Sequence, residues 1–220
     1  MDFGKQLSLV RERAPLVQCI TNFVTVNDCA NIVLAAGGSP SMADDVREAA
    51  EAVQGAAALV CNLGAIAAVD AMLLAGKTAN ELDKPVVLDP VAAGNTALRR
   101  AESDRLLAGV KFTVIRGNAS EIRALAWRER AGSGVDVSSE DTVTEENLPR
   151  TVETARLLAK QTGAVVAVSG PIDVVTDGER TILLRNGCAT MARIPGSGCL
   201  LTAMLGAFSG ADPDPPLEAA

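Results

Sequence analysis

The sequence predicts an α/β fold, a single domain in which a mostly parallel central sheet is covered by helices. Three observations predict it. Short apolar runs of four or five residues alternate with longer amphipathic stretches along the 220 residues. These runs are apolar at almost every position, which is the pattern of strands buried on both faces. Each run is followed by a polar or glycine-containing turn. The length suits one large domain, and residues 1–220 are read as one unit.

The elements follow in order. Leu16–Ile20 is a strand closed by Thr21-Asn22, and Val26–Ala36 and Asp45–Val53 are helices. Ala57–Cys61 is a strand ending in Asn62-Leu63-Gly64, followed by a long helix over Ala65–Leu82. Pro85–Leu88 runs into Asp89-Pro90, and Ala97–Ala108 is helical. Phe112–Ile115 ends at the turn Arg116-Gly117-Asn118, which opens the helix Ala119–Ala126. The polar stretch Arg128–Glu146 reads as a loop, and Asn147–Gln161 as a helix. Ala164–Val168 ends in Ser169-Gly170. Asp173–Thr176 and Thr181–Leu184 flank Asp177-Gly178 as an antiparallel hairpin at the sheet edge. Ser197–Phe208 is a helix, and Asp212-Pro213-Asp214-Pro215-Pro216 breaks the pattern. Leu217–Ala220 then reads as the first turn of one more helix. A sheet of this kind needs helices on both faces, so the expectation is that one face lacks its C-terminal helices.

Composition excludes several kinds of chemistry. Apolar residues make up 48% but aromatics only 2%, so the core is built from Ala, Val, Leu and Ile. The absence of His rules out Ser-His-Asp and Cys-His catalysis within the chain and argues against a zinc enzyme. Proton transfer is left to carboxylate, thiol, lysine or water. A net charge of −7 with no basic cluster argues against nucleic acid. Neither a signal-peptide core nor a stretch of membrane-spanning length is present, so a cytoplasmic protein is expected. Five cysteines in mostly apolar contexts read as free thiols, most of them core residues.

The most informative stretch is Ile194-Pro195-Gly196-Ser197-Gly198-Cys199-Leu200-Leu201. Two glycines and a serine run into a helix whose first N–H groups have no intrahelical partner and can hold an anion. Glycine lets a phosphate approach the main chain. Cys199 falls in the first turn, where the helix dipole favours a thiolate. The plainer reading is a glycine loop beside a buried thiol.

In open α/β sheets ligands bind at the carboxyl ends of the strands, which collects Asn22, Asp89, Arg116, Asn118, Glu121 and Ser169 on one rim. Asp89, fixed by Pro90, either helps to hold Mg²⁺ or caps a turn. Arg116 suits phosphate oxygens. Asn118 caps the following helix. Glu121, three residues on, either completes a capping box or binds water on Mg²⁺. Ser169 bonds a nucleotide phosphate or serves as a turn hydroxyl. Met42 stands out in the small-residue loop Gly37-Gly38-Ser39-Pro40-Ser41-Met42. It suits a flat apolar ligand, or else fills the core. Together these signals favour a kinase without a Walker A loop.

Pro15–Asn22, Gly38–Ala43, Leu88–Gly94, Arg116–Ile122 and Gly196–Cys199 occur in an order that resembles the hydroxyethylthiazole kinase family. The resemblance spans residues 8–210 and implies a ribokinase-like three-layer sandwich. It implies transfer of the ATP γ-phosphate to the primary alcohol of 4-methyl-5-(2-hydroxyethyl)thiazole in thiamine biosynthesis or salvage. It further implies that Met42, Gly196 and Asn22 meet the thiazole, that Arg116, Ser169 and Asn118 meet ATP, and that Asp89 and Glu121 support Mg²⁺. Gly196, Ser197, Gly198 and Cys199 form the catalytic turn, with Cys199 near the substrate hydroxyl, where it either accepts the proton as a modest thiolate base or is little needed in a loose transition state. Members of the family are homotrimers with the thiazole site near a subunit interface. Pro195 departs from the Thr usual there, and the chain ends earlier than members do. Two rival readings are a hydroxymethylpyrimidine-type kinase and a non-catalytic nucleotide- or thiazole-binding relative.

Overall fold

The computed structural model describes residues 3–128, 142–213 and 216–220. Among the described residues eight strands form one sheet: β1 Leu16–Ile20, β2 Ser39–Ser41, β3 Ala58–Asn62, β4 Val86–Asp89, β5 Val114–Asn118, β6 Val165–Ser169, β7 Asp173–Thr176 and β8 Thr181–Leu184. Their order is β2-β1-β3-β4-β5-β6-β7-β8. Strands β1 to β6 are parallel, and β7 and β8 add an antiparallel hairpin at one edge.

The described helices are α1 Phe3–Arg13, α2 Val26–Ala36, α3 Ala49–Gly55, α4 Val69–Glu81, α5 Ala97–Gly109, α6 Ala119–Trp127, α7 Leu148–Thr162, α8 Ser197–Ala211 and α9 Pro216–Ala219. Helices α3 to α7 pack on one face, over Ile20, Leu59, Leu88, Ile115 and Val166. Helices α1, α2, α8 and α9 pack on the other, over Val17, Cys19, Val60, Val87 and Val114. This is the expected three-layer sandwich, with an apolar sheet between two helical layers. The short turn expected after residue 216 is α9. Among the described residues no helix is long and apolar enough to cross a membrane.

Several boundaries differ from the sequence expectation, each for a physical reason. Strand β5 does not stop at Ile115. Its ladder continues through Arg116, Gly117 and Asn118 opposite Ala167, Val168 and Ser169, because backbone pairing with β6 outweighs the polar sequence. Strand β2 was not expected. Its proline is tolerated because this is an edge strand paired on one side only. Helix α3 starts at Ala49 instead of Asp45, whose carboxylate accepts the Arg47 N–H at 2.9 Å in a turn. The helix expected from Ala65 begins as a 3₁₀ turn over Ile66–Ala68. Helix α1 lay outside the expected set because its residues are mostly polar. Of the loop expected over Arg128–Glu146, residues 129–141 lie outside the described residues. Three cysteines, Cys19, Cys29 and Cys61, are buried as expected, but Cys188 is exposed.

Helix α8 lies unusually close to the sheet. A Cβ on Gly206 would stand 2.5 Å from Val60 Cγ2 and 2.9 Å from Val17 Cγ1, so only glycine permits that approach. The helix therefore runs flat against β1, β3 and β4 and delivers its first turn to their carboxyl ends.

At the opposite end of the sheet, Lys84 Nζ donates to the carbonyls of Val53, Gln54 and Ala56 at 3.0, 2.5 and 2.6 Å. A cation at a helix C-terminus satisfies orphan carbonyls and meets the dipole favourably. Lys84→Met should cost about 1–2 kcal/mol, read as a fall in the thermal midpoint of about 2–8 °C. An unchanged midpoint would show that water replaces the ammonium without loss.

Candidate active site

The first turn of α8 is set by Gly196, which adopts φ 72°, the left-handed region that glycine enters without strain. A side chain there would also drive its Cβ into Thr25. The Ser197 N–H is already bonded to the Ile194 carbonyl at 3.2 Å. Among the described residues the N–H groups of Gly198 and Cys199 donate to no carbonyl outside the helix and to no capping side chain, which leaves these two as the candidate anion donors of the turn. The Arg116 guanidinium lies directly over Gly198. A Cβ on Gly198 would collide with Arg116 Nη1. A helix N-terminus and a guanidinium therefore lie side by side.

Arg116 projects from β5 and is 8% exposed. It donates to Ser169 Oγ at the end of β6. Its Nη1 stands 3.8 Å from Asp89 Oδ2, and its Nε has no partner among the described residues. Asp89 closes β4 and is 1% exposed. Its Oδ2 accepts the Thr202 hydroxyl at 2.8 Å and the Asn62 amide at 3.1 Å. Asp89 therefore caps no turn with its side chain. Burial pushes its carboxyl above the ordinary range, against the opposing pull of Arg116 and Thr202.

Glu121 completes the expected capping box. Asn118 Oδ1 accepts the Glu121 N–H at 2.9 Å, and Glu121 Oε2 accepts the Asn118 N–H at 2.8 Å. Its other oxygen accepts the Ala92 N–H at 2.9 Å. Ala92 has φ 57°, a left-handed conformation that a non-glycine residue rarely holds. Glu121 thus fastens the Pro90–Gly94 turn to α6. Burial, then the neighbouring Asp89 charge, push its carboxyl up to about 7. The capping and metal readings are compatible, since each oxygen retains a free lone pair.

Cys199 is half-buried. Asn22 Nδ2 lies 3.4 Å from its sulfur and 3.3 Å from Asn62 Oδ1. The sequence places this thiol where a helix dipole favours the thiolate, but its surroundings decide otherwise. Burial raises the thiol first and the Asp89 charge raises it further, outweighing hydrogen bonds from Asn62, Thr25 and Asn22. Cys199 is therefore a protonated thiol near neutral pH. Met42 and Cys199 pack against the same apolar cluster, though no hydrogen bond links them.

The structure brings Asn22, Asp89, Arg116, Ser169 and Cys199 into one bonded cluster, with Glu121 and Asn118 adjoining it. Three members escaped the sequence reading: Asn62, Thr202 and Thr25. Asn62 belonged to a turn after a strand and was visible as such. Thr202 follows Cys199 by three residues in an apolar helix, and only the packing of α8 on β4 turns its hydroxyl to Asp89.

Two carboxylates fit Mg²⁺, which keeps several waters and takes one or two protein carboxylates beside substrate phosphates. Among the described residues no cluster of three or more His, Cys, Asp or Glu suits a metal held by protein alone.

Residues 7–220 match the hydroxyethylthiazole kinase family. The chain is 51% identical to the hydroxyethylthiazole kinase of Desulfovibrio desulfuricans over 213 residues, 96% of this chain and 75% of that protein. The solved hydroxyethylthiazole kinase of Pyrococcus horikoshii superposes with a TM-score of 0.85 at 38% identity, covering 98% of this chain and 78% of that one. Pyridoxal kinase of Bacillus subtilis superposes at 0.66 with 17% identity, covering 93% and 86%, a likeness of fold alone.

Proposed function

The chain belongs to the hydroxyethylthiazole kinase family, and from that premise we propose how its residues carry the reaction. It is a kinase of ribokinase-like fold that phosphorylates hydroxyethylthiazole in thiamine biosynthesis. The phosphoryl donor is ATP, and the acceptor is the primary alcohol of 4-methyl-5-(2-hydroxyethyl)thiazole.

The observation that carries the reading of the site is that Arg116, beside Asp89, packs against the first turn of α8, where two N–H groups have no carbonyl or capping partner. The N–H groups of Gly198 and Cys199 face the charge that develops on the γ-phosphoryl group, where preorganised donors are most effective. Arg116 and Ser169 hold the other phosphate oxygens, and Arg116 exchanges its long contact with Asp89 for them. Asn118 orients the nucleotide side through the start of α6. Met42, Asn22 and Gly196 line the thiazole site. Asp89 and Glu121 would hold Mg²⁺, which neutralises phosphate charge when bound. A raised thiol makes Cys199 a hydrogen-bonding partner of the alcohol more than a base, and a loose transition state asks little of a base.

We also propose a homotrimer. Phe23 is 90% and Val24 62% exposed directly after Asn22, and Met191 and Ile194 are exposed ahead of the catalytic turn. Such apolar side chains beside a site suit a second copy of the chain. Sedimentation equilibrium reads the mass, and a monomer at micromolar concentration would rule the trimer out. A cytoplasmic location follows from the ATP requirement, and fractionation tests it.

The decisive experiment is a coupled ADP-release assay with Mg-ATP, with and without the thiazole alcohol. Thiazole-dependent release is expected, with no release for a hydroxymethylpyrimidine. Calorimetric binding of thiazole without turnover would favour a non-catalytic relative.

A further inference from the structure

Asn62 ends β3 with 1% of its surface exposed. Its amide is used at both ends. Oδ1 accepts the Gly64 N–H at 2.9 Å and the Asn22 amide at 3.3 Å. Nδ2 donates to Asp89 Oδ2 at 3.1 Å, and the Asn22 amide that meets Oδ1 also lies 3.4 Å from the Cys199 sulfur. The groups linked in this way come from the exit of β1, the turn after β3, the end of β4 and the start of α8.

Packing does not explain a polar side chain here. An apolar residue would seal the end of β3 without the desolvation that an amide requires. An amide does what no charged group could, since it offers a donor and an acceptor in one plane without adding charge beside Asp89. Its orientation is imposed: two donors face Oδ1, and a carboxylate faces Nδ2. Turning it over would set N–H against N–H and oxygen against oxygen. Gly64 belongs to the same arrangement, since a Cβ there would stand 2.7 Å from Asn62 Oδ1 and 3.0 Å from Asn22 Cβ.

We infer that Asn62 is a positioning residue for phosphoryl transfer, setting the Asp89 carboxylate on the phosphate side and the Asn22–Cys199 pair on the alcohol side at one fixed separation. The inference rests on the kinase reading above and deepens it. In-line transfer tolerates little misplacement, since a shift of about 1 Å costs on the order of 10²-fold in rate.

Two variants of the full chain test it. Asn62→Leu removes both ends of the amide. Asn62→Asp keeps its shape and the acceptor facing Asn22 but turns an acceptor on Asp89. In both, kcat should fall about 30- to 100-fold while KM for ATP stays within about threefold. Thiazole titrated calorimetrically, without ATP or Mg²⁺, should bind about tenfold more weakly to Asn62→Leu and nearly normally to Asn62→Asp. That split between affinity and turnover is not expected of a residue that only supports the fold. A folded variant with kcat within about threefold of the parent overturns the inference. So does failure of both variants to fold, which would assign Asn62 to the fold itself. If the unaltered chain releases no thiazole-dependent ADP, the kinase reading fails and takes the inference with it. Loss confined to the variants concerns Asn62 alone.

Discussion

Gly198→Ala is expected to reduce kcat by about 10²–10³-fold, the cost of losing one preorganised transition-state donor. The added Cβ would collide with Arg116 Nη1 and stand close to Cζ and Nη2. Arg116 is 8% exposed and tied to Ser169, so it cannot swing freely away. Either the guanidinium leaves the proposed phosphate position or the first turn of α8 rotates, and both remove a contact proposed to reach the γ-phosphoryl group. Helix propensity works the other way, since Ala is preferred over Gly by about 1 kcal/mol in a helix interior. A variant with undiminished thermal stability and collapsed kcat would therefore be the signature. Steady-state kinetics beside a thermal melt decide it. Near-normal kcat would mean that Arg116 does not hold phosphate over Gly198.

Asp89→Asn should lower turnover by about 10³-fold, near 4 kcal/mol of barrier, without lowering the thermal midpoint of the ligand-free chain at pH 8. The first half follows from removing the carboxylate proposed to support Mg²⁺. The second follows from linkage. Burial raises the Asp89 carboxyl above its ordinary range. A group with a raised folded pKa contributes stability that is present below its unfolded pKa and is lost as pH rises through the folded one. At pH 8 the unfolded carboxyl is ionised, so burying it works against folding, and the amide avoids that cost. The opposing effect is loss of a partner for Arg116. Their separation of 3.8 Å is long for an ion pair, and Arg116 keeps its bond to Ser169. Relief of desolvation should thus prevail. A net loss of 1 kcal/mol would appear as about 2–4 °C at this size. A fall beyond that would show that Asp89 and Arg116 are a tightly coupled pair and that the site stabilises the fold.

The two predictions share a physical origin. Both rest on the proposal that the buried charge and the close-packed glycine turn of the rim serve a ligand and do not improve the ligand-free fold.

Much of this was legible in the chain. Continuous apolar runs such as Ala57–Cys61 and Ala164–Val168 specify strands buried on both faces, because a strand with one wet face alternates. The hairpin at Asp177-Gly178 was visible from its turn residues alone. Asn118 and Glu121 were readable as a capping box because their partners lie within one helical turn.

Two things were not legible, and for one reason. The ionisation of Cys199 depends first on its burial and then on the charge of Asp89, both set by distant segments, so the local dipole argument pointed the wrong way. Asn62 and Thr202 became site residues only when α8 settled against β3 and β4. The sequence by itself determined most of the elements, the mostly parallel sheet and the residue types on its rim, because propensity, burial pattern and caps act over a few residues. Only the tertiary structure decided which rim residues touch and which stay protonated, because hydrogen bonding and desolvation depend on separations that the packing of distant segments sets.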